Sequence, residues 1–194
     1  MARASAAAAA ETARQIREVA IDLFADKGYA AVSIDEIAEA AGVTRGAIYH
    51  HYKSKAGLFE AAADWLAGTV GDVVAATADA VNGDPADQLR AGCHAFLDAI
   101  TAEGPVRILL IDGPSVLGWA HWRRTDAGNS ETHLREALRA VGLEGTELDA
   151  TTAHLSGAMN EAALWVARQH TDTDTLAAAH TVLDRLVSAA VQGY

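Results

Sequence analysis

The chain has 194 residues, a formal net charge of −11 and a single cysteine, Cys93. The length suits one or two small domains that bury a core. The single cysteine excludes an internal disulfide and a cysteine-based zinc site, and no apolar run approaches the ~20 residues of a transmembrane helix. The alanine tract 6–10 lacks the bulky apolar residues of a signal peptide, so we expect a cytoplasmic protein that does not enter a membrane.

The negative charge is concentrated after residue 55. Residues 1–55 hold seven of the 15 Lys and Arg residues and seven of the 26 Asp and Glu residues, so they carry no net charge. The remaining residues therefore carry the whole charge of −11. This asymmetry is compatible with a basic-edged head that faces phosphates and an acidic body held away from them, although acidic surfaces also aid solubility in general.

The first helix is predicted over about residues 12–27, preceded by a flexible arm over residues 1–10. Its apolar residues form one stripe along the helix, and Gly28 ends it. That stripe is Ile16, Val19, Ala20, Leu23 and Phe24. It is suited to support the segment that follows.

Two short helices joined by a tight turn are predicted within residues 33–52. Ser33 is followed three residues later by Glu36, which is the pattern of a capping box. Gly42 ends the first of these helices, and Thr44 caps the second. Such a pair forms a helix-turn-helix, whose second helix enters the major groove of DNA. The alternative is an ordinary helical hairpin with a solvated polar face.

The outward residues of the second helix suit contact with DNA. Arg45 can reach a guanine or a phosphate, and Gly46 lets the backbone approach closely. We predict that Arg45 contacts a base, whereas Tyr49, His51 and Lys55 mainly contact phosphates. The full predicted set of DNA-contacting residues is Ser33, Thr44, Arg45, Gly46, Ala47, Tyr49, His50, His51, Lys53 and Lys55.

Two segments resemble a known family. The stretch G-V-T-R-G-A-I-Y-H-H-Y-K-S-K-A-G-L-F at 42–59 resembles the signature of TetR-type transcriptional regulators, and residues 16–38 match that family's first two helices. The resemblance covers about residues 11–71 and is weaker at 108–123. It implies a homodimer, usually a repressor, that a small molecule releases from operator DNA. It also gives Lys55 a phosphate-binding role at the start of the fourth helix.

The fourth helix is predicted from its cap, Ser54, to about Val81, so it connects the head with the remainder of the chain. Asp84 and Pro85 then start a fifth helix, because Pro is favoured in the first helical turn. Further helices are predicted at 106–111, from Ser115 to 142 with a possible interruption at 125–130, from Thr146, and from Thr173 or Asp174. Without any convincing strand, the predicted fold is all-α with about nine helices.

We therefore divide the chain into a helix-turn-helix DNA-binding domain at 11–71 and a ligand-binding and dimerisation domain at 72–194. The last two helices are the predicted homodimer interface, because the last one is apolar on one side. A mostly apolar effector pocket is predicted between the body helices, with plain core packing as the alternative. Its candidate residues are Trp65, His94, Phe96, Asp112, Trp119, Trp122, Met159 and Asn160.

The eight histidines contain no H-E-x-x-H motif and no pair at helical spacing, so no metal and no cofactor are predicted. The absence of a nucleophile elbow and of a phosphate-binding Gly loop disfavours an enzyme. The sequence thus predicts a repressor released from a palindromic operator by an effector. This effector is neutral or cationic, although Arg107 and Arg123 leave an acid possible. The alternatives are a helical binding or catalytic protein with a vestigial head, and a ligand-independent regulator or activator.

Overall fold

The computed structural model describes residues 2–102, 104–169 and 173–191, and all regular structure in these ranges is helical. A π-helical segment, Arg107–Asp112, lies between the fifth and sixth α-helices. The α-helices are α1 (Ala2–Lys27), α2 (Ile34–Ala40), α3 (Arg45–Tyr52), α4 (Lys55–Ala80), α5 (Pro85–Thr101), α6 (Gly113–Leu117), α7 (Trp119–Gly128), α8 (Ser130–Ala140), α9 (Gly145–Arg168) and α10 (Thr173–Val191). The predicted all-α fold class is confirmed.

The described ranges contain ten α-helices where the sequence predicted about nine. Gly118 adopts a φ of 80°, which breaks the predicted seventh helix into α6 and α7. The interruption expected near 125–130 separates α7 from α8. The structure also differs at the start of the chain, because α1 begins at Ala2 where a flexible arm over 1–10 was expected. Alanine has the highest helix propensity of all residues, which explains this extension.

The first three helices form the head, and α5 to α10 form the body. The long helix α4 belongs to both, because it runs without interruption from Lys55 to Ala80. Ile16, Phe24, Ile37 and Ile48 are fully buried between the head helices and the start of α4. Phe24 also contacts Phe59 on α4, with ring centroids 5.2 Å apart. The head is therefore packed directly onto the first turns of α4.

The body is arranged around α5, which packs against α4, α8, α9 and α10. Two crossed pairs join α5 to α10. His94 Nε2 lies 2.8 Å from Asp184 Oδ1, and His180 Nε2 lies 2.8 Å from Asp98 Oδ1. None of the described helices combines the length and the apolar composition that crossing a membrane requires.

A second connection between head and body runs through the π-helical segment. The backbone N–H of Tyr29 donates to Asp112 Oδ2 at 2.8 Å, although the two residues lie 83 positions apart. Arg107 Nη1 donates to the backbone oxygen of Asp26 at 3.1 Å. The end of α1 is thus hydrogen-bonded to the body independently of α4.

Candidate nucleic-acid interface and ligand cavity

Side-chain caps define the ends of the two helix-turn-helix helices. Ser33 Oγ accepts from the N–H of Glu36 at 3.1 Å, and Thr44 Oγ1 accepts from the N–H of Ala47 at 3.2 Å. Gly42 has the left-handed φ of 64° expected for the turn. The Lys27 ammonium, 2.5 Å from Glu36 Oε1, lowers the pKa of Glu36, and the Ser33 backbone N–H adds to this lowering. The predicted capping interactions are confirmed.

One side of helix α3 packs against the other head helices, and the opposite side is exposed to solvent. Ile48 is fully buried, and the hydroxyl of Tyr52 donates to the backbone oxygen of Ala13 at 2.6 Å. Burial raises the pKa of Tyr52, so this phenol remains a donor. The opposite face of α3 and its cap Thr44 carry most of the predicted DNA-contacting residues, while Ser33 caps α2 and Lys53 follows α3. The exposed set is Ser33, Thr44, Arg45, Gly46, Tyr49, His50 and Lys53, and the half-buried residues are Ala47 and His51.

Arg45 lies where α2 and α3 meet at the surface. Its Nη1 is 3.1 Å from Asp35 Oδ1, and both side chains are more than half exposed. A hydrogen bond with Tyr49 and the charge of Asp35 raise the pKa of Arg45. Exposed ion pairs of this kind contribute only ~0–1 kcal/mol, so a base or phosphate can readily replace Asp35.

The two lysines after α3 occupy different environments. Lys53 ends α3 with a φ of 66°, and its Nζ donates to the backbone oxygen of His50 at 2.9 Å. Lys55 starts α4 and is half-buried, with Nζ 4.3 Å from the ring centroid of Tyr29. Partial burial lowers the pKa of Lys55. Through Tyr29, Lys55 also adjoins the hydrogen bond between the head and Asp112.

A cavity of about 400 Å³ opens between α4, α5, α8 and α9. Its volume lies in the range typical of small-molecule sites. Two predicted pocket residues, Phe96 and Met159, line it. The other lining residues are Val74, Ala75, Ala78, Asp79, Gln88, Leu89, Gly92, Cys93, Ser130, His133, Leu134, Glu136, Ala137 and Ala140. Periodicity within a single helix did not reveal the contributions of α4 and α8, because they depend on how separate helices cross.

The predicted aromatic candidates lie elsewhere in the body. Trp122 lines a second cavity of about 30 Å³, and its indole N–H donates to the backbone oxygen of Leu109 at 2.6 Å. Trp119 is 66% exposed and stacks near Trp122, with centroids 4.9 Å apart. Trp65 is also exposed, and the guanidinium of Arg17 lies 5.1 Å from its ring. Neither Trp65 nor Trp119 lines the two cavities.

Three polar candidates also lie outside the lining of both cavities. Asp112 accepts from the backbone of Tyr29, His94 is paired with Asp184, and Asn160 does not face either space. Burial raises the pKa of Cys93 to about 12, so the thiol in the cavity wall stays neutral and unreactive. Among the described residues, no group of three His, Cys, Asp or Glu side chains is placed to hold a metal ion.

Comparisons with known proteins agree on one family. The family model "Bacterial regulatory proteins, tetR family" matches residues 16–62, and "Tetracyclin repressor-like, C-terminal domain" matches residues 86–190. The chain is 37% identical over 110 residues to the HTH-type transcriptional regulator AcrR of Shigella flexneri, covering 57% of this chain and 51% of AcrR. It is 47% identical over 66 residues to the regulator TtgR of Pseudomonas putida, covering 34% of this chain and 31% of TtgR.

The matched region therefore spans about half, or less, of the length of these curated relatives. Agreement with solved structures is more extensive. A TetR-family transcriptional regulator from Pectobacterium atrosepticum superposes with a TM-score of 0.74 and 27% identity, covering 94% of this chain and 95% of that one. The fold comparison thus includes both the head and the body.

Proposed function

Because the chain belongs to the TetR family of bacterial regulatory proteins, we propose that it is a sequence-specific DNA-binding repressor. The observation that carries the proposal is the exposed face of α3. Arg45, Gly46, Tyr49 and His50 are exposed on this helix, and Ile48 anchors its opposite side in the core. A capped, well-anchored helix with exposed polar side chains at its N-terminus is the geometry of a recognition helix.

Two kinds of contact are proposed for this face. Arg45 reads a base edge, whereas Tyr49, His51 and Lys55 bind phosphates that set the position of the helix. The neutral head meets the phosphates, and the acidic body packs around α4. A charge of −11 over the whole chain is then compatible with DNA binding.

The test is fluorescence anisotropy with an operator selected from random oligonucleotides. Arg45→Ala should cost ~1–3 kcal/mol on the selected operator and relax the preference at one base position. Lys55→Ala should weaken all sequences about equally and reduce the salt slope by about one. Arg168→Ala, an exposed body residue, is the control with the same change in charge and should change neither. Failure to select any bound sequence would contradict the proposal.

We propose that α9 and α10 form a two-fold dimer interface. Trp165, Val182 and Leu186 are 42%, 52% and 42% exposed and line one apolar groove between the two helices. Burying this face against its copy would make a four-helix interface and place two heads on a palindromic operator. The family typically acts as dimers, which supports this arrangement.

Sedimentation equilibrium tests the interface. Val182→Asp should produce monomers at micromolar concentration, because an aspartate at the centre of an apolar interface would be desolvated without a partner. Val73→Asp is the matched control, since Val73 is 42% exposed on α4 outside this groove, and it should leave the dimer intact. A wild-type monomer, or an unchanged Val182→Asp dimer, would contradict the assignment.

We also propose that a small molecule in the 400 Å³ cavity releases the DNA. Phe96 lines both this cavity and the 30 Å³ one, so a ligand that displaces Phe96 presses on the smaller space. Ile108 and Leu109 of the π-helical segment line that smaller space, and Asp112 at the end of the segment holds Tyr29 of the head. A ligand shifts the equilibrium only if it binds the DNA-incompetent state more tightly.

A further inference from the structure

The walls of the 400 Å³ cavity combine an apolar interior with negatively charged side chains. Leu89, Phe96 and Met159 are buried and line it, as do Val74 and Leu134. Asp79, on the last turns of α4, and Glu136, on α8, line the same cavity and are exposed to solvent. The carboxylates therefore lie where the cavity meets water, and the apolar residues lie within.

No lysine or arginine side chain offsets these carboxylates in the described lining. The one titratable base among the described lining residues is His133, which is half-buried on α8. The sequence allowed an acidic effector because of Arg107 and Arg123. Both arginines bind other groups outside the cavity lining. Arg107 donates to the Asp26 backbone, and Arg123 lies 2.9 Å from Glu131 Oε2.

The arginines of α8 also lie outside the cavity. Arg135 Nη2 is 2.5 Å from Asp149 Oδ1, and neither Arg135 nor Arg139 belongs to the lining. The raised pKa of Cys93 keeps its thiol neutral, so the cavity wall offers no thiolate for a metal or electrophile. The described lining also offers no lysine or arginine with which an acid could pair.

From this distribution of charge we infer that the effector is a lipophilic cation: an aromatic or aliphatic body that fills the apolar interior, with an ammonium-type group at the mouth between Asp79 and Glu136. Burial of the apolar body supplies most of the affinity. The carboxylates supply the discrimination between cations and anions, because like charges placed together are strongly disfavoured. The net negative charge of the body also favours the approach of cations over that of anions.

The inference rests on the proposed function, because it takes this cavity as the effector site. Its test nevertheless needs no DNA. Isothermal titration calorimetry on the full-length protein would compare 4-phenylbutyltrimethylammonium, 4-phenylbutanol and 4-phenylbutanesulfonate, which share an apolar body and differ in charge. We expect the cation to bind about tenfold more tightly than the alcohol, and the sulfonate to bind more weakly than the alcohol.

A double variant, Asp79→Asn with Glu136→Gln, removes both charges while keeping the side-chain shapes. It should weaken the cation about five- to tenfold, within the range of two partly exposed charge interactions, and leave the alcohol unchanged. The control is Asp72→Asn with Glu147→Gln, which changes the net charge equally at exposed positions outside the cavity and should alter neither affinity.

Three results would overturn the inference: sulfonate binding as tight as cation binding, equal loss of cation affinity in the cavity and control variants, or no binding of any of the probes. If the double variant does not fold, the comparison of the three probes on the wild-type protein still decides the question. A parallel anisotropy titration with operator separates this result from the proposed function. If the ligand-free wild-type protein did not bind the operator, that result would contradict only the proposed function.

Discussion

The contacts within the head and the contacts within the body differ in how far apart along the chain their partners lie. In the head, each cap bridges three residues, as in Ser33 to Glu36 and Thr44 to Ala47. In the body, His94 pairs with Asp184 90 positions away, and Asp112 reaches back 83 positions to Tyr29. Short-range geometry thus sets the ends of the recognition helix, whereas a ligand cavity exists only once distant helices have packed. The following predictions test this difference, beginning with the largest effect.

Gly57→Ala should disrupt the turn between α3 and α4. A methyl group at this position would clash with the backbone oxygen of Tyr52, which also accepts from the Ser54 N–H at 2.7 Å. Because the clash is with backbone, we expect a loss of about 3 kcal/mol in the free energy of unfolding, measured by urea denaturation. Gly68→Ala, where an added methyl meets nothing within 4 Å, should instead stabilise α4 by up to ~1 kcal/mol.

Asp112→Ala should loosen the head from the body. It leaves the half-buried N–H of Tyr29 without its carboxylate acceptor, at a cost of ~1–3 kcal/mol. We expect faster amide hydrogen exchange at Tyr29 and weaker coupling between effector and DNA binding. Ser115→Ala removes only a local hydrogen bond to the Asp112 backbone oxygen and should preserve that coupling. Equal coupling in wild type and Asp112→Ala would show that α4 alone transmits the signal.

Cys93 should make the body sensitive to alkaline pH. Its pKa is about 12 in the folded state and near 9.0 in the absence of burial. Above pH ~9 the unfolded thiol loses its proton while the folded one keeps it, so stability falls as pH rises, by up to ~1.4 kcal/mol per unit. Urea titrations between pH 8 and ~10.5 should show this slope in wild type and a shallower slope in Cys93→Ala. An unchanged slope would assign the alkaline sensitivity to other groups.

Thr44→Ala should cost ~1 kcal/mol by removing the N-cap of α3. Because the cap lies in the head, operator affinity should fall while the affinity of the cavity for a cationic probe stays the same. Thr69→Ala is the control, since the Thr69 hydroxyl bonds within α4 to the Trp65 oxygen and caps nothing. A loss of probe affinity in Thr44→Ala would show that the head and the cavity are coupled even without DNA.

The sequence alone accounted for most helix boundaries. Ser54 and Asp84 cap α4 and α5 as predicted, with Ser54 Oγ accepting from Gly57 N–H and Asp84 Oδ1 from Ala86 N–H, each at 2.9 Å. It placed the exposed residues of α3 on one face, although their contacts with DNA stay a prediction. These features were accessible because a cap or a helical face depends on residues within one or two turns.

Only the tertiary structure decided which side chains meet in the body. Asp112, expected in a pocket, instead binds the head at Tyr29, and the cavity takes Asp79 from α4 and Glu136 from α8. An amphipathic pattern predicts which face of a helix is buried, but it does not predict which other helix packs against that face. Crossing angles and the packing of whole helices settle that choice, so the recognition helix could be read along the chain and the cavity could not.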